Sequence, residues 1–369
     1  MIEDIYRFWN IDPSYAVADT FTGYEDLYHE FDKHTKDSYA KDPDGTITKV
    51  FDLYRNRGIV PIDYYSESGL VSAIRDFASS KYNTVQSNVI GLGNNQGQKI
   101  SRFVFTNMMT AEPKGRGSNS LRDRFNDDAK LKRAIRICFE FREGNNLVYP
   151  TAMRRSLELV TGENIQNFKP QNARAIVEHL CPVMWGRVYD YSAGYGGRLL
   201  GITSSNMRYS YLGVDPNTET VRGLNYLNSL LLNPGTIVQN VSEEYQPENI
   251  DCAFSSPPYF NLEKYSDEDT QCMVRYKTLD DWFDGYVEPT IQQIRRGLNR
   301  QGVFATNIAD YRTPKEEFAV CDRWIALSEK IGFKYQGMIK MMLNTRPGVG
   351  NDKLAGREKY EGVYVFQRC

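Results

Sequence analysis

Three histidines in 369 residues, His29, His34 and His179, are too few and too scattered for an imidazole-built metal site or a His-based catalytic triad. The six cysteines include no C-x-x-C pair, so neither a structural zinc nor a disulfide framework is expected. That usage fits a reducing, cytoplasmic setting. No run of about 18 apolar residues occurs, so no membrane span is expected. The opening MIEDIYRFWN lacks the basic start and apolar stretch of a secretory signal. A net charge of −2 denies the whole chain the basic signature of a nucleic-acid binder. No internal repeat and no low-complexity tract breaks the chain.

What is present is ordinary globular material, 41% apolar and 25% charged. The length allows two domains and a sizeable core. Charge is unevenly spread: residues 1–80 carry 8 basic against 15 acidic side chains, and residues 81–142 carry 12 against 5. A net of −7 is thus followed by a net of +7, a local footprint for phosphates. The first 150 residues give short, mixed signals. From about Phe168 short apolar strands alternate with amphipathic helices, which predicts a mostly parallel α/β sheet. Strands are expected at Val188–Tyr191, Tyr211–Val214, Thr236–Asn240, Asp251–Ser255, Gly302–Asn307, Lys334–Leu343 and Gly362–Gln367. Helices are expected after Pro170, around Val221–Leu231, at Leu279–Leu298 with an interruption near Pro289, and at Glu316–Ile331. Only the last two strands lack a helix between them, so those two should form an antiparallel hairpin.

The first strand runs into Asp190-Tyr191-Ser192-Ala193-Gly194-Tyr195-Gly196-Gly197 and then a helix. Glycines there allow positive φ and close backbone approach to a ligand. The spacing is not G-x-G-x-x-G, so a dinucleotide pyrophosphate is not the expected occupant. Asp190 either orients the turn or meets a cationic group. Asp215, at the end of the second strand, stands where an acid bonds a ribose diol; alone it reads equally well as turn chemistry. The fourth strand ends in Ser255-Ser256-Pro257-Pro258-Tyr259. Two prolines make a stiff turn without N–H donors, so its carbonyls stay free to accept. With the Ser256 oxygen and the flat Tyr259 ring, this set suits a planar group bearing an amine. Both turns leave the carboxyl ends of strands, where ligands gather in open α/β sheets. Phe260, Asn261 and Tyr265 either shape the same pocket or pack their loop, and Asn307 reads as a strand-end hydrogen bond.

These residues resemble the amino-methyltransferases of DNA, the N6-adenine and N4-cytosine enzymes. Their catalytic motif is Asp, Asn or Ser before Pro-Pro and an aromatic, here Ser256-Pro257-Pro258-Tyr259. Their cofactor motif is matched by Asp190 to Gly197, with Tyr191-Ser192 a mild departure. Their acidic ribose ligand is matched by Asp215, and their upstream motif by Phe168-Lys169-Pro170. The resemblance covers about residues 165–369. It implies a Rossmann-like class I fold with a seven-stranded mixed sheet beside an N-terminal α+β region, divided near 150/151. It implies S-adenosylmethionine as cofactor, held by Phe168, Lys169, Asp190, Ser192, Ala193, Gly194, Gly196, Gly197, Asp215 and Ser255, with no metal. It implies methylation of an exocyclic amine on a base flipped out of double-stranded DNA. Serine at the first motif position tilts toward cytosine N4.

The gap between the two motifs is too short for a recognition domain, which places target recognition in the N-terminal region or a C-terminal loop. Candidate phosphate contacts are Lys114, Arg116, Arg122, Arg124, Lys132 and Arg133, and Arg346 in the loop Asn344–Gly350. A solvated helix face explains the same charges. The alternatives are an RNA or protein-amide methyltransferase, or a binding protein that keeps the fold without catalysis. Monomer and homodimer are both open.

Overall fold

The computed structural model describes residues 29–56, 59–62, 65, 67–93, 95–113, 119–162, 164–181, 183–312, 316–343 and 359–369. The chain forms two compact units, each assembled from separate stretches of sequence. One holds 1–70, 105–166 and 263–266; the other holds 71–104, 167–262 and 267–369. The expected division at 150/151 is therefore replaced.

The first unit is helical among its described residues, with one isolated bridge between Glu112 and Lys264. The helix Pro150–Thr161 belongs here because its buried face, including Met153, Leu157 and Val160, packs on the helix Asp128–Phe141. Proline opens it at N1 and Gly162 closes it in the left-handed region, φ 72°. Tyr54, on the helix Pro43–Asn56, donates to the Val148 carbonyl at 2.7 Å, a buried polar tie across the bundle.

The second unit carries strands β1 (Val89–Ile90), β2 (Arg187–Asp190), β3 (Ser210–Asp215), β4 (Thr236–Gln239), β5 (Ile250–Ser255), β6 (Leu298–Ile308), β7 (Tyr311–Arg312), β8 (Glu317–Phe318), β9 (Phe333–Met342) and β10 (Tyr360–Arg368). The main sheet has the order β1-β9-β10-β6-β5-β2-β3-β4, and β7 pairs with β8 apart from it. Within the main sheet only β10 is antiparallel to its neighbours. Without β1, this is the seven-stranded mixed sheet of a Rossmann-like class I methyltransferase. The eighth strand, β1, was not foreseen: two residues give too little periodicity to register. It comes from the N-terminal region for which an α+β character was expected.

The inner parallel strands β3 and β5 are buried almost throughout and read as apolar runs. Tyr211 through Asp215 on β3 and Cys252 through Ser255 on β5 are all buried. One core cluster joins Trp282, Trp324, Phe304, Phe333 and Phe366 over the sheet. Three local expectations need correction. β4 and β5 also lack a helix between them, yet run parallel, because the chain 240–249 crosses from the sheet edge past β3 and β2 to β5. Pro289 does not interrupt its helix; a π turn at Phe283–Val287 comes before it and accommodates a residue with no N–H to give. The helix expected from Glu316 begins at Cys321. There Asp310 accepts from the backbone N–H of Val320 and Cys321 at 2.7 and 2.9 Å, which leaves Glu317–Phe318 to β8. Among the described residues no helix is long and apolar enough to cross a membrane, and no cluster of three or more His, Cys, Asp or Glu side chains is arranged to hold a metal ion.

Candidate functional site

β2 and β5 are parallel neighbours, with Val188 opposite Cys252 and Tyr189 opposite Ala253. Their carboxyl ends therefore deliver the glycine turn and the Ser-Pro-Pro-Tyr turn side by side. Asp190 joins them. Its carboxylate is fully buried, at 0% exposure. One oxygen accepts from the Ser255 hydroxyl at 2.7 Å and the Ser192 N–H at 3.4 Å. The other accepts from Arg198 Nε at 2.9 Å and the Tyr211 hydroxyl at 2.8 Å. Arg198 also donates to the Ser192 carbonyl, and its guanidinium lies 5.5 Å from the Phe168 ring centre.

These bonds change the roles of two residues. Asp190 and Ser255 were expected to touch the cofactor. Both are spent inside the protein, where they clamp the two turns together. Of the readings open for Asp190, orientation of the turn is the one the geometry favours.

The turn itself is shaped by glycine. Gly194 and Gly196 have φ of 55° and 69°, a region that a side chain strains. Ala193 donates its N–H to the Val214 carbonyl at 2.9 Å. Gly197 has another reason: a Cβ there would collide with the Phe168 carbonyl oxygen. Gly201 stands likewise against the Pro170 carbonyl. The helix Gly197–Thr203 thus rides directly on the start of the helix Pro170–Leu180, which ties Phe168-Lys169-Pro170 to the glycine turn. Phe168 stands edge-on to Phe254, 5.5 Å between ring centres. The Lys169 ammonium donates to the Gly93 carbonyl at 3.0 Å, and burial lowers its pKa. It serves as an internal tie. Ser192 places its hydroxyl 3.1 Å from that of Tyr286.

Asp215 ends β3 with 8% exposure. Its carboxylate accepts from the Gly194 N–H at 2.8 Å and the Asn217 N–H at 3.0 Å. Burial pushes its pKa up to about 6, against the opposing pull of those two N–H groups. A carboxylate has about four acceptor positions, so capacity remains for a ribose diol. Turn former and candidate ligand are here one residue.

In the second turn Pro257 is buried, and Ser256, Pro258 and Tyr259 are half-buried. Tyr259 meets Tyr311 in a T-shaped pair, 5.0 Å between centres and 69° between planes. Phe260 packs toward Phe318 at 5.9 Å, and Asn261 accepts from the Tyr311 hydroxyl at 3.0 Å. Tyr265 bonds Glu263. Asn307 donates to the Gly362 carbonyl at 2.9 Å, the strand-end bond expected of it.

Arg198, Tyr211 and Tyr311 were not singled out from the sequence. Arg198 had a local signal, a cation directly after the glycine cluster; the other two had none, since strand pairing and a hairpin bring them in.

Among the basic candidates, Arg124 is a correction. It is 1% exposed, and its guanidinium donates to the carbonyls of Asn119 and Leu157 at 2.9 and 3.2 Å, so it cannot meet a phosphate. Every third or fourth position of this region faces the bundle core, and Arg124 occupies one. Arg122 is half-buried. Lys132 and Arg133 are exposed, with the Lys132 ammonium 4.6 Å from the centre of the Phe51 ring. Lys114, Arg116 and Arg346 lie outside the described residues.

No family model matches the sequence, and no curated protein matches it. Solved structures do match in shape. TrmN from Thermus thermophilus is 16% identical over 54% of this chain and 49% of its own, with a TM-score of 0.36. The chain thus spans about half the length of that protein. A precorrin-6y C5,15-methyltransferase from Geobacter metallireducens is 13% identical over 54% of this chain and 89% of its own, TM-score 0.35. A SAM-dependent O-methyltransferase from Thermotoga maritima is 13% identical over 57% and 69%, TM-score 0.33. The strand order, rather than these scores, assigns the fold.

Proposed function

We propose that this chain transfers a methyl group from S-adenosylmethionine to an exocyclic amine of a flipped-out DNA base, cytosine N4 or adenine N6. One observation carries the reading: the Ser255–Asp190–Ser192 hydrogen bonds hold the two turns against each other, so methyl donor and acceptor would meet between them.

The residues fit the cofactor. Two positive-φ glycines leave the Gly194 backbone approachable, and a desolvated acid stands beside it at Asp215. Ser192, Ala193, Gly194 and Gly196 would line the methionine end, and Asp215 would accept from the ribose. Phe168, Lys169, Asp190, Gly197 and Ser255 act by holding that loop in shape. When bound, the cofactor supplies an electrophilic methyl on a sulfonium.

Ser256 and the Pro257 carbonyl would accept hydrogen bonds from the target amine. That holds the amine in the base plane and makes its lone pair more available. Tyr259 would stack on the base after flipping. Alignment supplies much of the rate, and no residue needs to form a covalent bond. Lys132 and Arg133, exposed on their helix, would contact DNA phosphates.

The test offers tritium-labelled cofactor with unmodified DNA, RNA and protein to the wild type, Ser256→Ala and Tyr259→Ala. Label should enter DNA with the wild type and fall sharply with both variants, while cofactor affinity holds. Label entering RNA or protein alone would reassign the acceptor. Cofactor binding without transfer to anything would mark a binding protein.

A further inference from the structure

Tyr311 lies beyond the motifs, on a two-residue strand that follows β6. Its ring stacks on its cross-strand partner Phe318, 4.8 Å between centres and 13° between planes. The start of the helix Cys321–Ile331 is pinned to Asp310 just before it. The β7–β8 pair is thus the platform that carries Tyr311. From that platform Tyr311 makes two further contacts: its ring meets Tyr259 at 69°, and its hydroxyl donates to Asn261 at 3.0 Å. Between those two, Phe260 is buried toward Phe318. Three consecutive residues after Pro258 are therefore held by one hairpin. Burial raises the Tyr311 pKa to about 12, so its hydroxyl stays a donor at any working pH.

We propose that Tyr311 is a positioning residue for base stacking: it sets the plane of Tyr259 and the path of the turn that presents Ser256 and Pro257. The inference rests on the methyltransferase reading above. A T-shaped neighbour fixes a ring plane because the edge of one ring meets the electron-rich face of the other. The hydroxyl bond to Asn261 stops the loop from rotating about that contact. A turn that ends in two prolines has few soft torsions of its own, so holding its far side fixes its whole course.

The experiment uses the full chain, tritium-labelled S-adenosylmethionine and long, enzymatically amplified DNA free of modification. It reads single-turnover methyl transfer, kcat and KM for DNA, cofactor Kd and melting temperature. Tyr311→Phe keeps the ring and loses the hydroxyl bond; transfer should slow about fivefold, the worth of one hydrogen bond. Tyr311→Leu loses the ring as well and should slow transfer about tenfold or more. Cofactor Kd should stay within about twofold of wild type in both, since Tyr311 does not touch the glycine turn. Asn261→Ala should match Tyr311→Phe, and the double variant should be no slower than either, because both remove one interaction.

A purely structural role predicts something else: transfer, cofactor Kd and melting temperature fall together. That result overturns the inference. So does an active wild type whose Tyr311→Leu variant keeps full kcat/KM for DNA, which leaves the functional reading standing. A wild type that methylates no nucleic acid removes both. Should Tyr311→Leu fail to fold, Tyr311→Phe and Asn261→Ala still decide the matter.

Discussion

Asp190→Asn is the sharpest perturbation of the clamp between the two turns. The wild-type carboxylate takes four hydrogen bonds and neutralises Arg198, itself only 5% exposed. Asparagine keeps the shape and removes the charge. It also turns one acceptor into a donor, which must face donors already in place: the Ser255 hydroxyl and Ser192 N–H on one side, or Arg198 and Tyr211 on the other. In either orientation the guanidinium is left buried without its counter-charge, with the Ser192 carbonyl as a neutral partner. Removing one member of a buried ion pair costs about 3–5 kcal/mol. Whole-protein stability is about 5–15 kcal/mol, so a large share would go. Urea unfolding followed by tryptophan fluorescence measures it in the right place, because the buried Trp282 and Trp324 belong to the sheet unit. Tyr211→Phe removes one donor to a charged acceptor and should cost about 1.5–3 kcal/mol. Ser255→Ala removes another donor to the same carboxylate and should likewise cost about 1.5–3 kcal/mol. Asp190→Leu with Arg198→Met should cost less than Asp190→Asn, because no lone charge is stranded. A cost for Asp190→Asn below about 1 kcal/mol, or below that of Ser255→Ala, would refute the buried-clamp account.

Further predictions follow from the same geometry. Asp215 titrates near pH 6, and ribose hydroxyls favour its ionised form, so cofactor affinity should fall as pH drops through about 6; calorimetry should find this dependence missing in Asp215→Asn. Its folded pKa lies above the ordinary 3.8, so the stability it contributes is full below that value and lost as pH rises through about 6. Against Asp215→Asn, wild-type unfolding free energy should decline by up to roughly 3 kcal/mol across that window in urea titrations. Gly197→Ala drives a Cβ into the Phe168 carbonyl and should cost about 1–3 kcal/mol with weaker cofactor binding, read by melting and calorimetry. Lys132→Ala with Arg133→Ala should weaken DNA binding alike on all sequences and reduce the salt slope by about 2, measured by fluorescence anisotropy over a salt series.

Seven of the nine strands after Phe168 were legible because each is a short apolar run punctuated by turn residues, and both motif turns follow such runs. β1, β7 and β8 were not, since two residues carry no period. The basic segment after Lys99 misled at one position: counting charge along the chain does not show which face of a helix is buried, and Arg124 points inward. Lys169 and Ser255 lie within or beside motifs, and motif membership alone does not separate a ligand contact from a structural tie.

Residue identity by itself decided local conformations at the site: glycine at the positive-φ positions 194 and 196, proline where no N–H is wanted, and alternation of strand and helix. It also set which chemical groups stand at strand ends. Pairing decided the rest. That Asp190 meets Ser255 and Tyr211 depends on β2 lying between β3 and β5, an order no stretch of sequence encodes locally. That Tyr311 reaches Tyr259 depends on a hairpin pinned by Asp310. Contacts between residues far apart in the chain are set by how the strands stack, because only the packed sheet can bury those groups together.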